Sequence, residues 1–256
     1  MPVDTTLLKL IATPLLVGAA SLAARRWGHA VSGWVVGLPL TSGPIAFFLA
    51  LDQGAGFAAA AALGSLAGTI GQAGFCVVYG RLVARHGWIT AVAAGSLGFA
   101  LLTLALQRVT LPAGALALLV VAALAVTLVA MPSGRGGGAV AAAPRWDIPG
   151  RMVVTTLLVL AITGAAPALG PRVSGLLATF PVYGAILASF ADRRDDTAAG
   201  IRVLRGMLLG LFSFAGFFVV LSAAIERLGV APAFGAAIAA SLAIQAGTLR
   251  FVVGRG

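Results

Sequence analysis

Apolar residues run in long blocks along this chain, and polar residues form short clusters between them. Blocks with few charges occupy roughly 6–24, 31–50, 56–80, 87–106, 111–131, 152–169, 173–191, 203–225 and 229–249. Each is about 17–25 residues long, the length at which an α-helix crosses the hydrocarbon of a bilayer. The punctuation is Arg25-Arg26, Asp52-Gln53-Gly54, Arg81 to Gly87, Gln107-Arg108, Asp192 to Asp196 and Glu226-Arg227. The pattern predicts an all-α polytopic membrane protein of about nine spans. The longest break, 132–150, contains SGRGGG and AAAPRWD and reads as a Gly-rich basic linker.

The chain also repeats itself. A shift of 142 residues lays SGLLATFP, from Ser174, on SGWVVGLP, from Ser32, without a gap. Ala215-Gly216-Phe217 falls on Ala73-Gly74-Phe75, and Gly206 and Gly210 fall on Gly64 and Gly68. Gly28, Arg85, Gly87 and Arg108 meet Gly170, Arg227, Gly229 and Arg250. About a quarter of the positions aligned between 9–108 and 151–250 are identical. Shared Gly, Pro and Arg positions mark a duplication in a way that shared alanines do not. The expected organisation is a four-helix repeat at 1–108, a central helix and linker at 109–150, and a second four-helix repeat at 151–256. One span between two sets of four makes the second repeat enter from the opposite side, so the repeats are expected to be inverted.

Charge supports that count. With nine spans, only Lys9, Arg108, Arg172 and Arg227 of the 17 basic residues fall on one side. The basic side is cytoplasmic by the positive-inside rule, which puts the N-terminus outside and the C-terminus in the cytoplasm. Trp27, Trp34, Trp88 and Trp146 gather near that basic side, as an interfacial aromatic belt does. The first block ends in small residues like a signal peptide, but the same segment recurs in the second half and is expected to stay.

Composition narrows the classes further. Of 256 residues, 60% are apolar and 9% charged, and the mean hydropathy is +1.06. That excludes a soluble enzyme, a disordered tail and a nucleic-acid module. The net charge of +10 belongs to cytoplasmic loops rather than to a nucleic-acid surface. A single cysteine, Cys76, excludes an internal disulfide and reads as a small buried hydrophobe. His29 and His86 sit in connectors beside arginines, without a Cys or acidic partner at ligand spacing, so no metal or cofactor is expected.

The candidate site follows from matched prolines. Pro39 interrupts the second span and Pro181 the seventh, each removing a helical hydrogen bond. Carbonyls freed at membrane depth need protein, water or a ligand. Interrupted helices at matching places in inverted repeats point to a midplane transport site. Thr41, Ser42, Gly43 and Pro44 follow the first proline, and Tyr183 and Gly184 the second. The candidate substrate-binding residues are Ser32, Gly33, Pro39, Thr41, Ser42, Ser174, Gly175, Pro181, Tyr183, Gln72 and Gln245. Tyr79 and Thr103 are the other polar groups within spans. Gly64, Gly68, Gly206 and Gly210 form GxxxG pairs and are read as packing seams between the repeats. Asp52 and Glu226 lie at outer span ends, and no carboxylate lies well inside a span, which argues against proton-coupled antiport of cations. The mixed loop from Asp192 to Asp196 reads as a solvated, lipid-facing connector. SGRGGG lacks the Lys-Ser/Thr of a P-loop.

The unit ASLAARRWGHAVSGWVVGLPLTSGPIAFFLALDQG resembles the small four-helix bacterial inner-membrane proteins of the GlpM type. Its shared features are Arg25-Arg26, Gly33, Pro39 and Asp52, with Arg172, Gly175, Pro181 and Asp192 in the second half. The resemblance implies a fused duplication of such a unit in a bacterial inner membrane, and brings no catalytic residues with it. The functional expectation is a transporter or a lipid or small-molecule flippase, surrounded by membrane lipid and acting as a monomer or homodimer. The alternative is a non-transporting accessory subunit of an envelope or polysaccharide assembly system. A lipid-modifying enzyme would need converging carboxylates or metal ligands, and Asp192, Asp195 and Asp196 are the only candidates, so no enzyme activity is expected.

Overall fold

The computed structural model describes residues 5–25, 38–109, 111–132, 147–192 and 197–253. Among them the regular elements are all α-helices: α1 (Thr6–Arg25), α2 (Ser42–Gln53), α3 (Ala55–Gln107), α4 (Ala113–Ala130), α5 (Asp147–Leu177), α6 (Val182–Asp192), α7 (Thr197–Leu228) and α8 (Val230–Val253). Five of these are long and apolar enough to cross a membrane. The outside of the bundle is greasy. On α4, Leu118, Val126 and Val129 are 73, 68 and 87% exposed, while Val120 and Leu124 on the other face are buried. Apolar surface of this extent belongs against lipid. The protein is therefore an all-helical membrane protein.

Two apolar blocks merge in α3, which is 53 residues long. A straight helix of that length would be about 80 Å long, well over twice the thickness of a bilayer's hydrocarbon. Instead the chain turns at Gly87, whose φ of 74° and ψ of 169° are not helical. A Cβ on Gly71 would meet Phe99, and one on Gly95 would meet Phe75. These contacts pair residues on opposite sides of Gly87, and the later residue of the first arm meets the earlier residue of the second, so 55–86 and 88–107 lie side by side as an antiparallel hairpin. Gly229, with φ 79°, makes the same reversal between α7 and α8. There Ser213 and Ser241 share a hydrogen bond of 2.8 Å. A Cβ on Gly74 would run into Leu102, and one on Gly216, its counterpart at the 142-residue shift, would run into Ile244.

Only glycine holds this backbone conformation without strain. Gly87→Ala and Gly229→Ala are each expected to cost about 1–3 kcal/mol. Thermal unfolding in detergent reads this directly, and an unchanged melting temperature would contradict the reversal.

α5 turns in the same way at Gly170 (φ 75°, ψ 166°). The short arm beyond it packs parallel to the first arm of α3. Gly64 faces the Arg172 backbone, Gly68 faces Thr179, and Gly175 faces Ala61 and Ser65. Ser65 Oγ donates to Gly175 O at 3.1 Å across this seam. Gly210 is buried and Gly206 half-buried on α7.

Basic side chains tie helix ends together. Arg205 donates to Leu128 O at 3.1 Å and Met131 O at 2.9 Å, closing the end of α4. Arg81 reaches Ala130 O at the same end. Arg172 donates to Leu106 O at 2.8 Å and also to Val109 O, closing the end of α3. Cations suit carbonyl-rich helix termini. Lys9 pairs with Asp52, joining α1 to α2.

Candidate functional site

Both prolines stand in short non-helical turns that lead into a helix. The first occupies 38–41, ahead of α2, and the second 178–181, between α5 and α6. They have the same hydrogen bonds. Leu40 N donates to Leu38 O at 2.7 Å, and Val182 N to Phe180 O at 2.8 Å. Gly43 N donates to Pro39 O at 2.8 Å, and Ala185 N to Pro181 O at 2.9 Å. Proline has no N–H to continue the preceding turn, and its C=O starts the next helix.

The two breaks meet. Ser42 Oγ donates to Ala178 O at 2.7 Å, so a hydroxyl from the first break satisfies a carbonyl freed in the second. Beside that bond lies a cavity with about 40 Å³ open to the centre of a water-sized sphere. That is room for two or three waters, or for one small polar group in their place. Leu38, Thr41 and Ser42 line it from one break, and Ala178, Pro181 and Gly184 from the other. Phe180 closes one wall and packs edge-on against Phe99, with ring centroids 5.3 Å apart. Met207, Leu211 and Phe214 of α7 form another wall.

Two polar side chains reach the cavity from elsewhere: Gln72, near the midpoint of the first arm of α3, and Arg151, in the first turns of α5. Gln72 is 7% exposed, and its carbonyl oxygen has no hydrogen-bond partner. An unsatisfied buried amide costs about 1–3 kcal/mol, so water or a ligand is the natural complement.

The expected site residues therefore separate. Thr41, Ser42, Pro181 and Gln72 line the cavity, and Pro39 starts the turn beside it. Tyr183 stands in the first turn of α6. Ser174 does not face the cavity; its hydroxyl donates back to Gly170 O at 2.8 Å. Gly175 is taken up in the seam with α3. Gln245 is buried on α8 away from the cavity lining. Ser32 and Gly33 lie outside the described residues. So do Gly28, His29, Trp27, Trp34, Trp146, the linker segment SGRGGG and the loop residues Arg193 to Asp196. Among the described residues no group of His, Cys, Asp or Glu could hold a metal ion.

Arg151 and the α7 wall are absent from the sequence-based site. One signal pointed at the arginine: at the 142-residue shift it is the counterpart of Lys9, and it starts the second repeat as a cation next to a span.

A helical membrane protein in which two proline turns, at 38–41 and 178–181, line a small shared cavity is the class these features define. Comparison with family models, with curated proteins and with solved structures gives no match.

Proposed function

We propose that this chain is a transporter or flippase, whose central site is the cavity between the two proline-interrupted helices. The observation that carries the reading is the convergence itself: breaks 142 residues apart share one cavity and one hydrogen bond, Ser42 to Ala178. Irregular backbone at membrane depth is tolerated where it is packed in protein or lines a cavity. Broken helices at matching places in two repeats are the hallmark of a midplane transport site.

The architecture we infer is nine spans in two inverted four-helix repeats joined by α4. The reversals at Gly87 and Gly229 support the count, because each separates two helices within one continuous element. Contacts between ends support the alternation. Lys9 meets Asp52, Arg172 meets Leu106, and Arg81 and Arg205 meet the end of α4, each pairing ends expected on one side. On this reading the protein is a fused pair of GlpM-type units in a bacterial inner membrane, with its N-terminus outside and its C-terminus in the cytoplasm.

Cysteine accessibility tests the site. On a Cys76→Ala background, Leu40→Cys, Thr41→Cys, Ala178→Cys and Val182→Cys are probed with membrane-impermeant thiol reagents from each side. Labelling of these mid-membrane positions from both sides is expected. Pro39→Ala with Pro181→Ala should abolish that two-sided labelling at normal expression. Positions unreactive from either side would reduce the prolines to packing devices. The chain would then be an accessory subunit of an envelope assembly system.

A further inference from the structure

The charge around the cavity says what kind of group it takes. α2 begins at Ser42 and α6 at Val182, and the helices are 12 and 11 residues long. The first N–H groups of a helix have no partner within it. No side chain caps α2. Thr41, Ser42, Val182 and Gly184, from these two helix starts, all line the cavity. Each such terminus carries about half a positive charge. Arg151, which already has a partner of its own, brings a guanidinium to the lining from α5, and the described lining residues include no carboxylate.

Gln72 is an independent pointer to a ligand, since its buried carbonyl oxygen is unpartnered. A half-turn of the amide exchanges its oxygen and nitrogen ends. It can therefore offer this space an N–H donor.

We infer that the cavity binds an anionic oxygen group, a phosphate or a carboxylate, carried by the transported molecule. That the molecule is transported rests on the function proposed above; that an anion binds does not. The space takes the charged group alone, and its walls at Phe180, Leu211 and Phe214 are apolar. Two sources share this chemistry: the headgroup of an anionic lipid, and a free small anion.

Thermal stability of the full chain in neutral detergent tests binding. The probes are inorganic phosphate, short-chain phosphatidylglycerol, and galactosyldiacylglycerol of the same chain length, which carries no charged group. The melting temperature is expected to rise with phosphatidylglycerol or phosphate and not with galactosyldiacylglycerol. Saturation by phosphate alone identifies a free anion, and a response confined to phosphatidylglycerol identifies a lipid headgroup. Arg151→Gln and Gln72→Leu should each weaken the apparent affinity roughly tenfold or more, the worth of a hydrogen bond to a charged group. Arg151→Lys should retain most of the binding, which separates lost charge from misfolding. Arg227→Gln, exposed at the far end of α7, should change nothing.

An equal response to galactosyldiacylglycerol, no response to any probe, or full affinity in both cavity variants would overturn the inference. Flux of labelled phosphatidylglycerol and galactosyldiacylglycerol in vesicles keeps the two proposals apart. Binding without flux of either lipid or of phosphate removes the transport reading and leaves the anion site. Equal flux of both lipids does the reverse.

Discussion

Gly175→Ala is expected to cost about 3 kcal/mol or more, the largest effect of any one-carbon change in the described residues. A Cβ at this position would overlap the Ala61 carbonyl oxygen and lie 2.9 Å from Ser65 N. Both obstacles are backbone, so no rotamer change can clear them. Relief requires the short arm of α5 to move off α3, which also breaks the bond from Ser65 Oγ to Gly175 O. Helices in a bilayer gain little from hiding apolar surface, because lipid is equally apolar, so close backbone approach provides much of their cohesion. Gly64→Ala should behave similarly, since its Cβ would overlap Arg172 O. Gly68→Ala should cost only about 1 kcal/mol, because its obstacle is the rotatable side chain of Thr179. Gly164 and Gly235 have nothing within 4 Å, and alanine there should be neutral or stabilising by up to about 1 kcal/mol. The series is read by thermal unfolding in detergent. If Gly175→Ala and Gly164→Ala melt together, the seam is not what joins the two halves.

Asp52→Ala should destabilise the protein by about 3–5 kcal/mol, the usual result of stripping a buried ion of its partner. The side chains of Lys9 and Asp52 are 9% and 16% exposed. Thr5 Oγ1 donates to the second carboxylate oxygen at 2.5 Å, and the ammonium lies 5.8 Å from the centre of the Phe48 ring. Alanine leaves that ammonium facing an aromatic ring and a lone hydroxyl. The double variant Lys9→Met with Asp52→Leu removes both charges and fills the space. It should recover most of the loss, because replacing a buried pair by apolar groups is often neutral or better. Unfolding of the two single variants and the double variant closes a cycle that isolates the pair. A single variant as stable as the parent would show that water already solvates Lys9.

The helices were legible because hydrophobic length is written locally. The blocks at 111–131 and 229–249 fall on α4 and α8. The block ending at 80 stops short, since its helix runs on through Arg81, Arg85 and His86 to Gly87. Arginines near an interface lengthen no gap in the hydrogen-bond ladder, whereas a glycine at positive φ does. The prolines were legible for the same reason: Pro39 and Pro181 each lack the N–H that would continue the preceding turn, although Pro14 and Pro167 are kept within helices. What they face was not. Arg151, Met207 and Phe214 join the cavity from helices far along the chain, and no local pattern distinguishes them from other residues on those helices. Ser174 illustrates the converse. Its place beside the second break suggested a substrate contact, but a serine within a helix bonds readily to the carbonyl four residues back, and Gly170 O takes it.

The glycine seam also sets a clock on synthesis. Each one-residue reversal joins neighbours in sequence, so a hairpin can close as soon as its second arm leaves the ribosome. Ser65 and Gly175, by contrast, are 110 residues apart. At roughly 5–20 residues per second, the first half waits on the order of 5–20 seconds for the strip that covers Gly64 and Gly68. Until then a groove shaped for another backbone is filled by lipid chains or by the insertion machinery. Closing this seam is therefore an eviction, and its speed depends on how loosely that temporary occupant is held.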